Sequence, residues 1–252
     1  MSSKIFKAAG WLFVILLIAG AFCLAARNIL PAPKYDIRVD RGDLVFSGER
    51  AYELAAGFAT RFTYRHSGTE NNRESALWTR QQFAALGYDT EIDEFGATLY
   101  GRSVPLQNVV AVKPGRSEEA IAIAAHLDQA RTTVQGADND ASGMGIMLHL
   151  AELFQNIDTK YTLIFIATDA EEYGMLGAKH FVETHPLSSR TVMAISLDNV
   201  GRYNGEGMHI AAIGQKKGYT PLWLAVLTQD TASKIGVWRP VFLDPVTQVM
   251  ER

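Results

Sequence analysis

The sequence has a single cysteine, no block of basic residues, no internal repeat and no low-complexity tract. One cysteine excludes an intramolecular disulfide, so the folded part of the chain depends on its apolar core for stability. The 24 basic and 27 acidic residues are spread along the chain, and this pattern excludes the clustered basic surface typical of nucleic-acid binding. A hydrophobic fraction of 48% over 252 residues is typical of one globular domain.

A long uncharged run, residues 8–26, lies near the N terminus and contains the one cysteine, Cys23. A run of this length can cross a hydrocarbon core as a helix, whereas the apolar part of a cleavable signal peptide is usually shorter. We therefore expect residues 1–27 to form a single-pass membrane anchor, with a cleaved signal sequence or a buried core helix as alternatives. Lys4 and Lys7 precede the run, which places the N terminus in the cytoplasm and the remaining chain outside, in the periplasm or the extracellular space.

The rest of the chain divides into a linker and one domain. Residues 28–47 are rich in proline and charge and predict a tether, and residues 48–252 predict the domain. Continuous apolar runs predict buried strands at 108–112, 120–125, 162–167, 192–197 and 208–213. Helical spacing of apolar residues predicts helices at 72–86, 142–154, 176–183 and 221–235. The alternation predicts a three-layer αβα sandwich with a mostly parallel central sheet.

Acidic residues and a histidine follow three of the predicted strands. His126 and Asp128 follow the second run, Glu171 and Glu172 follow the third, and Asp198 follows the fourth. Ligands of open α/β sheets bind beyond the carboxyl ends of the strands, so these side chains are candidates for one site. A buried structural histidine, a surface turn and a turn cap would explain them separately. Their combination favours a metal site in which one acid binds the ion and another orients the imidazole.

Four motifs carry a family resemblance: AAHLD at 124–128, GADNDASG at 136–143, ATDAEEYGMLGAKHF at 167–181 and SLDNVG at 196–201. In order and spacing they resemble the motifs of the M28-type di-zinc aminopeptidases, over residues 49–212. The resemblance implies His126 and Asp198 on one zinc ion and Glu172 on the other. It also implies Glu171 as the general base, Asp128 orienting His126, and hydrolysis of peptide bonds by an exopeptidase of the aminopeptidase type.

The loop GADNDASG departs from the family pattern. Family members usually have a carboxylate at its fourth position, bridging two zinc ions, and this chain has Asn139 there, between Asp138 and Asp140. An amide oxygen is neutral and bridges two divalent cations poorly. Three outcomes are open: Asp140 or Asp138 replaces Asn139 at the metal, the site keeps one zinc ion, or it binds none. Asp140 is also a candidate N-cap of the following helix.

The second departure is at the C-terminal end. The family takes its last zinc ligand from a histidine well after the Asp198 position, and only His209 follows here, inside an apolar run. The resemblance implies further sheet and that histidine, so we expect the chain to be incomplete relative to the family fold. Two alternatives to a peptidase follow: a catalytically impaired ectodomain that acts as a binding module, and a glutaminyl-cyclase-like enzyme with one zinc ion. The sequence does not indicate substrate preference or oligomeric state. Residues 131–135 and 203–207 are candidate rim loops of the substrate pocket, and solvated turns explain both segments equally well.

Overall fold

A computed structural model describes residues 44–201 and, in addition, Ile15. The anchor expected at 8–26, most of the linker, and the strand and helix expected at 208–213 and 221–235 lie outside the described residues. Among the residues that are described, no helix is long and apolar enough to cross a membrane.

Two helices precede the sheet. Helix α1 spans Gly48–Arg61. Its N-cap is Ser47, whose hydroxyl oxygen accepts a hydrogen bond of 3.1 Å from the backbone N–H of Arg50. Helix α2 spans Glu70–Ala85, and its N-cap is Thr69. Gly87 follows the helix and has a left-handed backbone conformation with φ 82°. The sequence prediction of a helix ended by this glycine is confirmed for α2. Helix α1 was not predicted individually, because only three of its residues are buried.

The sheet has five strands in the order β1-β2-β4-β3-β5. The strands are β1 Asp89–Leu99, β2 Arg102–Lys113, β3 Ser117–His126, β4 Tyr161–Thr168 and β5 Thr191–Ser196. Strands β3, β4 and β5 run parallel to one another, whereas β2 is antiparallel to both β1 and β4. The four predicted strands within residues 44–201 are therefore present, although β2 begins six residues earlier than predicted and β5, predicted to be buried, has no buried residue.

The prediction of a mostly parallel sheet is confirmed in part for the described residues: β3, β4 and β5 pair in parallel, whereas both pairings of β2 are antiparallel. The connections explain this. Tyr100 and Gly101 alone join β1 to β2, and residues 114–116 join β2 to β3. A parallel connection needs a crossover of a dozen or more residues, so each short link reverses the chain.

Helices cover both faces of the sheet, as the predicted three layers require. Helix α3 spans Gly143–Phe154 and helix α4 spans Leu176–Thr184. Alternate residues of each strand point to opposite faces. Val109 and Phe165 therefore lie in a core with residues of α1, α2 and α3, whereas Val110 and Ile166 pack with Phe181 of α4.

The candidate site residues follow the carboxyl ends of three parallel strands, at one edge of the sheet. Strands β3, β4 and β5 end at His126, Thr168 and Ser196, and a further turn, Ala137–Ser142, leads into α3. A single helical turn, Glu171–Tyr173, follows β4. The carboxyl ends of β3, β4 and β5 and both turns therefore supply the residues of the candidate site.

Candidate metal centre

His126 is the last residue of β3 and is almost completely buried. Its Nδ1 lies 3.2 Å from Asp128 Oδ1, and its Nε2 lies 2.7 Å from Asn139 Oδ1. Burial lowers the pKa of the imidazole, but the carboxylates of Asp128 and Asp198 raise it by more, and the pKa of His126 is raised to about 11. Both ring nitrogens therefore face oxygen acceptors at the centre of the site.

Asp128 is fully buried and holds two parts of the site together. Its Oδ1 faces His126 Nδ1 and also accepts the backbone N–H of Glu171 at 3.0 Å. Its Oδ2 accepts the backbone N–H of Glu172 at 3.2 Å. One carboxylate thus orients the imidazole and fixes the turn that carries both glutamates, and the second of these roles was not predicted from the sequence.

Asn139 lies between a histidine and a glutamate. Its Oδ1 faces His126 Nε2, and its Nδ2 donates to Glu172 Oε1 at 2.6 Å. The backbone of the turn is not helical at Asn139 and Asp140, so the two neighbouring side chains take different directions. The amide therefore occupies the space between His126 and Glu172, and neither adjacent aspartate replaces it there.

The two aspartates that flank Asn139 accept backbone N–H groups. Asp140 is fully buried; its Oδ2 accepts the N–H of His126 and its Oδ1 accepts that of Gly143, the first residue of α3, both at 3.0 Å. Burial raises the pKa of Asp140 to about 8, against the lowering effects of the His126 charge and these two donors. Asp138 Oδ1 accepts the N–H of Gly201 at 3.0 Å.

Glu171 and Glu172 face the centre from the turn after β4. Glu171 Oε2 lies 4.0 Å from His126 Nε2, and its side chain is 32% exposed. Burial raises the pKa of each of these two carboxyl groups above its ordinary value, while the charge of His126 opposes the shift. A carboxylate with a raised pKa that stays accessible to water is suited to accept a proton.

Asp198 approaches from the segment after β5. Its Oδ1 lies 3.8 Å from His126 Nε2 and accepts a hydrogen bond of 2.6 Å from Asn199 Nδ2. Its side chain is 43% exposed, so it forms the outer side of the cluster. Asp198 thus meets the imidazole although 72 residues separate it from His126 along the chain, as their numbers give.

The donor set fits zinc. Two groups of three residues place possible ligand atoms within 4.8 Å of one another: His126 with Glu171 and Glu172, and His126 with Asp140 and Asp198. Imidazole nitrogen and carboxylate oxygen are ordinary zinc ligands. Because both groups use His126, the described residues offer one imidazole to the whole centre.

Arg65 holds the backbone next to the centre through hydrogen bonds. The sequence analysis did not predict this role. It is fully buried, and burial lowers its pKa to about 10. Its guanidinium donates to the carbonyl oxygens of Leu127 at 2.8 Å and Gly136 at 2.8 Å, and to Gln129 Oε1 at 3.0 Å. These bonds fix the segment between Asp128 and the Ala137–Ser142 turn. A charged residue in a polar stretch gives no sequence signal for such burial.

A mixed α/β sheet whose strand ends bring an imidazole and several carboxylates within reach of one another has the form of a metal-dependent hydrolase. The chain belongs to peptidase family M28, whose family model matches residues 108–237.

Two curated relatives illustrate the similarity in sequence. The alkaline phosphatase isozyme conversion protein of Escherichia coli (strain K12) is 33% identical over 213 residues, which cover 75% of this chain and 60% of that protein. Aminopeptidase YwaD of Bacillus subtilis (strain 168) is 29% identical over 100 residues, or 38% of this chain and 22% of that protein. The chain spans less than two thirds of the length of either relative.

Solved structures share the fold. A glutaminyl cyclase of Porphyromonas gingivalis has a TM-score of 0.67 at 21% identity, covering 82% of this chain and 79% of that one. A zinc aminopeptidase from Bacillus subtilis has a TM-score of 0.64 at 16% identity, covering 77% and 79%. At this level of identity the likeness extends to the fold alone.

Proposed function

We propose that the protein is a zinc-dependent exopeptidase, most simply an aminopeptidase, in which Glu171 is the general base. The observation that carries this proposal is the convergence on His126 Nε2 of carboxylate oxygens from Glu171 at 4.0 Å and Asp198 at 3.8 Å. His126 and Asp198 are the proposed ligands of the zinc ion, and Glu172 is at the position where the resemblance implies a ligand of a second ion. Zinc, when bound, lowers the pKa of a coordinated water and polarises the carbonyl of the scissile bond.

The protein's own residues move the proton. Glu171 accepts a proton from the attacking water and returns it to the leaving amine. Its raised pKa suits both halves of this transfer, because the protonated form is a usable acid near neutral pH. Asp128 holds the backbone of Glu171 and the ring of His126, so it acts as a positioning residue for both.

The presence of Asn139 between His126 and Glu172 is the reason that we propose one zinc ion per chain rather than two. Its neutral amide already hydrogen bonds to His126 and Glu172, the residues that a bridging carboxylate would lie between. Two dications close together need negative charge between them, and this amide supplies none. We therefore place a single ion at His126 and count Asp140 among the supporting residues, since both its oxygens accept backbone amides.

A single ion keeps a second candidate function open, that of a glutaminyl cyclase. Such an enzyme polarises the side-chain amide of an N-terminal glutamine with one metal ion, and a carboxylate shuttles the proton. The specific observation in its favour is again Asn139 at the centre of the site. Peptides that begin with glutamine distinguish the two activities, because a cyclase releases ammonia and leaves every peptide bond intact.

We also propose that residues 1–27 anchor the protein in a membrane, with the domain outside the cytoplasm. The uncharged run at 8–26 and the lysines that precede it support this arrangement. The peptidase substrate is then a peptide of the periplasm or the extracellular space.

The test compares the full chain with Glu171→Gln and a control, Glu183→Gln, whose side chain is exposed on α4. We expect Glu171→Gln to lower kcat on amino-acid anilides by about a hundredfold or more while the zinc content stays unchanged. Glu183→Gln should match the wild type in both measurements. Full activity in Glu171→Gln would remove the proposed base, and a zinc-free, inactive wild type would favour the binding module.

A further inference from the structure

A cavity of about 350 Å³ lies beside the proposed catalytic turn. Its wall includes Tyr173, the third residue of the turn that carries Glu171 and Glu172. The remaining wall comes from the loop between α1 and α2, the tip of the β1–β2 hairpin and the segment after Asp128, through His66, Arg102 and Arg131. The volume is near the lower end for a small-ligand pocket and suits one or two amino-acid residues.

The cavity is lined by basic groups and by no carboxylate. Within residues 44–201, neither Arg102 nor Arg131 has a carboxylate oxygen within 4.0 Å, although other arginines do. His66 turns its Nδ1 toward the backbone oxygen of Gln129 at 3.2 Å. The cavity therefore presents positive charge without a described counter-ion.

Aromatic rings hold one of these cations in place. The Arg131 guanidinium lies 5.0 Å from the centroid of the Tyr100 ring, and Tyr100 meets Tyr173 edge to face at 5.5 Å. A planar guanidinium over an aromatic ring can still pair with a planar carboxylate through two hydrogen bonds.

We propose that this cavity binds a carboxylate group of the substrate, either an acidic side chain or a free C-terminal carboxylate, next to the scissile bond. Arg102 and Arg131 are the residues that determine this specificity. The inference rests on the proposed peptidase function, since it takes the reacting carbonyl to lie at Glu171, and it names the class of substrate that the site prefers.

The test measures equilibrium binding in Glu171→Gln, which removes turnover from the comparison. Two matched peptide pairs separate the sources of the carboxylate: Leu-Ala against its C-terminal amide, and Leu-Glu amide against Leu-Gln amide. We expect the acidic member of at least one pair to bind about tenfold more tightly or better, as one charge-assisted hydrogen bond would give. The pair that shows the preference identifies the source.

Arg131→Gln and Arg102→Gln, each added to Glu171→Gln, should reduce that ratio toward one. Arg80→Gln is the matched control, because Arg80 is exposed on α2 and does not line the cavity. If the arginine variants fold poorly, the same ratio in Glu171→Gln should fall as the salt concentration rises.

The outcomes separate this inference from the proposed function. Equal binding of acid and amide in both pairs would overturn the cavity assignment, even if the wild type hydrolyses peptides. A preference that disappears in Arg131→Gln would support the assignment, even if the wild type hydrolyses none and the peptidase proposal fails.

Discussion

At the scale of a single residue, Asn139 is the position that we propose limits the number of zinc ions. Its amide links His126 to Glu172 through bonds of 2.7 and 2.6 Å. We expect Asn139→Asp to raise the number of zinc ions bound per chain above the wild-type value, because it puts a negative charge between His126 and Glu172. Elemental analysis of the dialysed protein by mass spectrometry measures the change.

The control for that variant is Asn156→Asp, which adds the same charge at an exposed position after α3. It should leave the zinc content unaltered. An unchanged content in a well-folded Asn139→Asp protein would mean that the number of ions is set elsewhere, for example by the supply of imidazole.

Arg65 is the second residue with a measurable effect. Arg65→Met leaves several buried carbonyl oxygens without their charged donor, and each such bond contributes about 1.5 to 3 kcal/mol. We expect the free energy of unfolding to fall by about 3 kcal/mol or more in urea titrations. Arg61→Met is the comparison, because Arg61 is exposed and its guanidinium lies 5.3 Å from the ring of Phe62. Similar losses in both variants would contradict the supporting role of Arg65.

The sequence identified the polar residues of the centre but could not give their directions. Acids placed after successive strands indicate a shared edge, and the structure brings His126, Glu171 and Asp198 together there. Which of Asp138, Asn139 and Asp140 points inward depends on backbone angles inside one irregular turn. No pattern of residue types encodes those angles, so the sequence alone left three alternatives.

At the scale of elements, one polar cluster joins α1 to α3. Arg50 donates to both carboxylate oxygens of Glu152, the shortest bond being 2.6 Å, and His149 Nδ1 lies 2.9 Å from the same group. The hydrogen bonds from Arg50 are the main reason that the pKa of Glu152 is below its ordinary value. The cluster is the polar counterpart of the close approach of α1 at Gly145, where an added Cβ would collide with Ala51 and Ala55.

We expect Glu152→Gln to lower the free energy of unfolding at pH 7 by about 1 kcal/mol or more. A lowered folded-state pKa stabilises the fold above the ordinary value near 4.5, and this contribution is lost as the pH falls through the folded pKa. The difference between variant and wild type should therefore shrink in urea titrations at successively lower pH. Glu53→Gln should cost less, because Glu53 is 58% exposed and makes one bond to Arg50. A pH-independent difference would contradict the assignment.

Buried elements were predictable and half-exposed ones were not. Strands β3 and β4 are continuous apolar runs because both of their faces are covered, and their positions follow from composition. Strand β1 carries charges such as Asp89 and Glu91 and is buried only at Leu99, so it produces no apolar run. The sequence therefore did not predict β1 or its antiparallel pairing with β2.

At the scale of the whole molecule, the uncharged run at 8–26 leads to a prediction about location. The full chain should remain with membranes after an alkaline carbonate wash. Val14→Asp combined with Leu17→Asp should release it, since each aspartate costs about 2.5 to 3.5 kcal/mol in the centre of a spanning helix. Val45→Asp, outside the run, should have no effect. Recovery of a shorter, soluble chain from the wild type would support a cleaved signal sequence instead.

Asp128 is one anchor for groups that arrive from two strands, the imidazole after β3 and the glutamate turn after β4. Under the proposed function, a substitution of Asp128 would therefore disturb the proposed zinc ligand His126 and the proposed general base Glu171 together.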